Sequence, residues 1–148
     1  MIMNLMKIFN LLIATILFSL VSSQAFAAEF SISAESNFIS KLRPGQKITA
    51  GYMNIIPSED ATIIKIEAKM IGRIEAHSMI MDGEIMKMRK ILPELFKNKK
   101  YQFKSGGNHL MLFDVERDLK EGDDVNLLFT FQLKNKKIFS KVIQFKVK

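Results

Sequence analysis

"DVNLLFTFQL" (124–133) and "KIFSKVIQFKVK" (137–148), joined by a polar Lys-Asn-Lys turn, decide the fold. Val125, Leu127, Phe129 and Phe131 recur at every second position, and Ile143, Phe145 and Val147 do the same in the second run. A period of two places each set on one face of an extended chain. Outward from this pair the same pattern continues. "FSIS" (30–33) alternates, and "KITAGYMNII" (47–56) is an apolar, β-branched run ended by Pro57-Ser58-Glu59-Asp60. "TIIKIEAKM" (62–70) follows, then "RIEAHSMIM" and "EIMKMRKIL" on either side of Asp82-Gly83, a dipeptide that signals a tight hairpin. "YQFK" (101–104) leads through Ser105-Gly106-Gly107 to "NHLMLF" (108–113). About eight or nine short strands with turn signals between them predict an all-β Greek-key sandwich or barrel. A short helix fits residues 92–99, "LPELFKNK".

The first 27 residues read as a secretory leader. Lys7 and the amino terminus give a positive start, residues 8–21 are nearly all apolar, and Ala25-Phe26-Ala27 supplies the small residues a signal peptidase reads. A run of 14 residues falls short of the roughly 20 that span a bilayer. Cleavage after Ala27 leaves residues 28–148 as one domain of 121 residues, enough for a real core. Removing Lys7 lowers the net charge from +7 to +6, with lysines clustered in two "KNKK" runs, 97–100 and 134–137. These read as solvated turns, with a basic surface for an acidic partner or an anionic membrane as the functional alternative. Nucleic acid is not expected, because no aromatic residues interleave the basic runs. The absence of cysteine excludes a disulfide framework, a thiolate metal site and lipid attachment through a cysteine at the cleavage site. The expected compartment is the periplasm, with no stable membrane insertion after cleavage.

The chain has two histidines and ten methionines. One histidine lies in "EAHSMIMDGEIMKMRK" (75–90) with Met79, Met81, Met86 and Met88. If Asp82-Gly83 is the two-residue loop, Met81 faces Glu84, Met79 faces Met86 and His77 faces Met88. The other histidine precedes Met111 in His109-Leu110-Met111, where positions i and i+2 share a face. Brought together, the two pairs form a set of four neutral donors: His77, Met88, His109 and Met111. Thioether is a soft ligand that selects soft ions, above all Cu(I), and imidazole also suits copper. Zinc more often recruits thiolate or carboxylate. Methionines at alternating strand positions are also ordinary core fillers. An enzyme is not expected, since neither His-Glu-x-x-His nor Gly-x-Ser-x-Gly occurs and cysteine is absent.

The run "AHSMIMDGEIMKMRKI", followed by "KSGGNHLMLFDVERDLKEGDDVNLLFTF", resembles the periplasmic copper chaperones of the PCu(A)C family (domain of unknown function 461). That family's signature is a histidine, ten residues, a methionine, about 21 residues and His-x-Met. Here ten residues separate His77 from Met88, and twenty separate Met88 from His109-x-Met111. "AGYMNI" (50–55) and "LKEGDDVNLLFTF" (119–131) are similar to further family segments. The family's N-terminal tryptophan and arginine are not visible, and Ser105 stands where it has proline. The resemblance implies a cupredoxin-like, immunoglobulin-like β-sandwich that binds one Cu(I) through His77, Met88, His109 and Met111. Met79 and Met86 would be neighbours of the ion or alternate ligands. It further implies delivery toward the CuA centre in cytochrome c oxidase subunit II, alongside a Sco-type thiol protein. The alternative reading is a secreted immunoglobulin-like module that docks a partner protein through a Met-rich face without metal.

Overall fold

A computed structural model describes residues 29–148; the leader expected over residues 1–27 lies outside them. Ten strands follow in order: β1 (Ile32–Ile39), β2 (Thr49–Pro57), β3 (Ala61–Glu67), β4 (Ile71–Asp82), β5 (Ile85–Ile91), β6 (Glu94–Leu95), β7 (Tyr101–Phe103), β8 (His109–Val115), β9 (Asp124–Leu133) and β10 (Ile138–Val147). They hydrogen-bond in the order β5-β4-β8-β2-β1-β10-β9-β3-β6, with β7 also on β2. All pairs are antiparallel except β1 with β10. The ladder curls so that β3 and β4 come into contact, and an Ala68–Ile71 bridge ties the corner between them.

The alternating residues fill the interior as their period requires. Val125, Leu127, Phe129, Phe131, Ile143, Phe145 and Val147 are all buried. Phe129 stacks on Phe131 and Phe145 with ring centroids 6.1 and 6.2 Å apart. Ile39, Met53, Ile55, Leu110 and Leu112 complete the centre from the other strands. Pro57 closes β2, where a residue without an N–H cannot continue a ladder.

The helix expected over 92–99 does not form. Pro93 disfavours helical backbone at Leu92. Its carbonyl oxygen instead accepts the Ile63 N–H at 3.0 Å, and Leu95 pairs with Ala61 and is buried. The segment serves as a short edge on β3. The first strand is displaced from 30–33 to Ile32–Ile39, while Phe30 packs edge-on against Phe131 and Phe139 ahead of it. The two lysine-rich turns lie side by side: Asp60 accepts the Lys97 N–H at 2.7 Å and pairs with the Lys134 ammonium.

Candidate metal centre

The β4–β5 hairpin differs from its expected register. Gly83, with φ of 67°, occupies the first loop position and Glu84 the second, so Asp82 pairs with Ile85. Glycine at the first position is the type II′ arrangement, whereas the Asp-Gly reading required glycine at the second. Every partner therefore moves by two residues. His77 opposes Lys90 rather than Met88, Met79 opposes Met88 rather than Met86, and Met81 opposes Met86 rather than Glu84. A shift of two preserves the face, since side chains alternate with period two. His77, Met79, Met81, Met86 and Met88 still share one face, with Met88 diagonal to His77.

On its other side β4 pairs with β8, and there His77 stands directly opposite His109. The two rings have centroids 6.3 Å apart. Metal–nitrogen bonds of about 2 Å, the length of zinc–imidazole bonds, put two rings on one ion roughly 5–6 Å apart, so a small rotation suffices. Met111 opposes Glu75 on β4 and lies on the same face as His109. Two rungs of the β5–β4–β8 ladder thus present Met88 and Met79, then Lys90, His77 and His109. The next presents Glu75 and Met111. The opposite face of these strands is core, with Ala76 and Leu110 buried.

β7 and β8 both run along β2, facing Ile55–Met53 and Gly51–Thr49 in turn. They are one strand path interrupted by residues 104–108. The Lys104 N–H donates to the Asn108 oxygen at 2.6 Å and the Gly107 N–H to the Lys104 oxygen at 3.1 Å, closing the loop. Gly106 carries the φ of 75° that this turn requires. His109 begins the resumed strand, 7% exposed, and its Nδ1–H donates to the Gly107 carbonyl at 2.9 Å. A carbonyl only accepts, so the proton is assigned to Nδ1 and the lone pair to Nε2.

His77 is fixed the other way round. Its Nε2–H donates to Glu75 Oε2 at 2.9 Å, which leaves the lone pair on Nδ1. That Nδ1 is buried and has no hydrogen-bond partner among the described residues. A buried acceptor without a partner costs stability unless something fills its place. Each imidazole thus donates one N–H to an oxygen and keeps one nitrogen free, the arrangement metal-bound histidines adopt. Phe113 packs beside His77 at 6.0 Å between centroids, with the Arg73 guanidinium 4.4 Å from its ring centre.

Glu75 was not singled out from the sequence. It lies two residues before His77 on the same strand face, and that spacing was the available signal. The His77 imidazole and then the Lys90 ammonium, at 2.9 Å, hold its carboxyl below the ordinary range. Arg73 Nε adds a second cationic neighbour at 3.7 Å. Among the described residues no three His, Asp or Glu side chains form a metal-holding group. The donors on this face are two imidazoles and several thioethers.

Residues 27–140 match the LpqE-like family, a lipoprotein family by its description. The uncharacterized protein RP573 of Rickettsia prowazekii (strain Madrid E) is 34% identical over 94 residues, 61% of this chain and 52% of that protein. The chain therefore spans about half the length of this curated relative. Among solved structures, the apo PCuAC domain from PmoF1 aligns with a TM-score of 0.61 at 15% identity, covering 79% of this chain and 92% of that one. The copper-bound PCuAC domain from PmoF2 aligns equally well at 14% identity, with the same coverage. The Cu(I) form of DR1885 from Deinococcus radiodurans gives 0.55 at 20% identity, covering 86% and 83%. At these identities the likeness is one of fold: a cupredoxin-like β-sandwich.

Proposed function

We propose that this chain, which belongs to the LpqE-like family and has the fold of PCuAC domains, is a copper carrier that binds one Cu(I). Its ligands on this reading are His77 Nδ1, His109 Nε2, Met88 and Met111. The observation that carries it is the cross-strand pair of histidines whose protons are already placed on the nitrogens facing oxygen acceptors. The free Nδ1 of His77 is buried, has no partner among the described residues and suits an ion. The copper-bound state of two proteins with this fold supports the choice of metal. Soft, neutral thioethers favour Cu(I) over harder ions, and a site without thiolate eases transfer to a thiolate-rich acceptor.

The family resemblance extends the proposal to location and acceptor. Residues 1–27 act as a cleavable leader, and residues 28–148 work in the periplasm; the family match beginning at residue 27 supports this boundary. The acceptor is the CuA centre of cytochrome c oxidase subunit II, with a Sco-type thiol protein as co-worker. The chain is a carrier in this scheme rather than an enzyme.

Anaerobic Cu(I) titration against a chromophoric chelator tests the site. One equivalent should bind with high affinity, and His77→Ala and His109→Ala should each weaken it. Unchanged affinity in both variants would overturn the ligand assignment. Binding to the native state alone also raises stability by mass action, about 2.7 kcal/mol at a hundredfold excess over Kd. No thermal shift with Cu(I) would favour the metal-free docking module, whose Met-rich face the exposed Met81, Met86 and Met88 would supply.

A further inference from the structure

β8 pairs with β4 only as far as His77 and His109. Beyond that point residues 78–89 extend as a two-stranded ribbon. Its side chains are sorted. Met79, Met81, Met86 and Met88 share one face; Ile80, Ile85, Lys87 and Arg89 lie on the other. The methionines do not fill a core: Met81, Met86 and Met88 are 63%, 57% and 44% exposed. An exposed hairpin gains nothing from methionine as packing material, and isoleucine serves the opposite face. The distinction between the two faces is sulfur.

We propose that this face is a second soft-metal site, free of histidine, through which Cu(I) enters and leaves the histidine-bearing centre. The inference rests on the Cu(I) reading above and adds a site to it. Met81 directly opposes Met86, and Met79 directly opposes Met88. Directly opposed residues have Cβ atoms about 4.5–5.5 Å apart, and methionine's three flexible torsions let two sulfurs straddle one ion. Successive rungs on one face are about 7 Å apart at a rise near 3.4 Å per residue. Two such steps lead from the Met81–Met86 rung, through Met79–Met88, to the His77–His109 rung. Met88 belongs to both sites and hands the ion over. In each step one bond to copper forms as another breaks, Cu–S for Cu–S along the tip and Cu–N for Cu–S on reaching the histidine rung; the ion stays Cu(I), and no electron moves. Thioethers do not titrate at ordinary pH, so the tip holds its ion independently of proton concentration.

The test is anaerobic titration of the full chain, carrying 13C-methyl methionine, with Cu(I) and in parallel with redox-inert Ag(I). The first equivalent should move the Met88 and Met111 methyl signals, and a weaker second equivalent those of Met79, Met81 and Met86. Met81→Leu/Met86→Leu should lower the second affinity at least about tenfold and leave the first intact. His77→Ala/His109→Ala should keep one equivalent, on the tip, with the same affinity at acid and neutral pH. If the leucine variant keeps the second equivalent, or those three methyl signals stay still, the tip site is wrong while the histidine centre stands. If the alanine variant keeps its first equivalent at parental affinity and the leucine variant loses it, the tip stands and the histidine centre is wrong.

Discussion

Replacing Glu75 with alanine should weaken Cu(I) binding although Glu75 is not among the proposed ligands. In the apo protein its carboxylate accepts the His77 Nε2–H at 2.9 Å and pairs with Lys90 at 2.9 Å. Without it the imidazole is free to carry its proton on Nδ1, the nitrogen the ion requires, and Lys90 loses its counter-charge beside a cation site. Loss of an oxygen partner behind a ligating histidine costs about 10–100-fold in metal affinity. That corresponds to roughly 1.4–2.8 kcal/mol at 1.4 kcal/mol per decade. Glu75→Gln separates the two effects, because an amide oxygen still accepts the Nε2–H while the charge is gone. It should fall between the parent and Glu75→Ala. Affinity is read by anaerobic competition with a chromophoric Cu(I) chelator, and the tautomer by imidazole 15N shifts. Glu75→Ala affinity within about threefold of the parent, with His77 still protonated on Nε2, would refute the reasoning.

Gly72 lies across from Asp114, and a Cβ added there would come within 2.8 Å of the Asp114 Cβ. Asp114 also holds a φ of 53°. Gly72→Ala should therefore cost about 1–3 kcal/mol in urea unfolding, and Asp114→Gly in the same chain should recover much of it. A Gly72→Ala chain as stable as the parent would contradict the close approach. Acid stability is the third prediction. The Lys134 ammonium, and then the Lys97 N–H, hold the Asp60 carboxyl below its ordinary value of 3.8. The unfolded chain takes up that proton first as pH falls. Asp60 thus contributes its full stabilisation above the ordinary value and loses it as pH drops through the folded one. Asp60→Asn should flatten the acid limb of stability against pH; an unchanged slope would argue against the pairing.

The face on which the donors lie was legible in the sequence, but the rung was not. Alternation in 75–90 places His77 and the methionines together whichever two-residue loop is used. The choice between glycine at the first or second loop position depends on backbone twist at Gly83, which the dipeptide alone leaves open. The result preserved the face and replaced Met88 by Lys90 opposite His77. The direct contact of His77 with His109 was beyond reach, because it follows from β4 pairing with β8, 32 residues away along the chain. The loop at 104–108 announced itself by its glycines. Its role as an interruption in a single path along β2 depends on pairing with residues 49–55. The β9–β10 hairpin was the easiest part, since a local turn and buried alternating faces agree there.

Among the described residues β5 is held to the sheet only by β4, whereas β4 and β8 are each paired on both sides. On the proposed reading, three donors sit on the doubly held strands and Met88 alone sits on the outermost one. Opening of β5 then removes one thioether and exposes the ion's flank while the rest of the centre keeps its shape. Such partial openings cost less than global unfolding. Fraying of that single strand would be a leak beside the transfer along the Met81–Met86 tip, since it withdraws Met86 together with Met88, and the Phe129–Phe131–Phe145 stack lies on other strands.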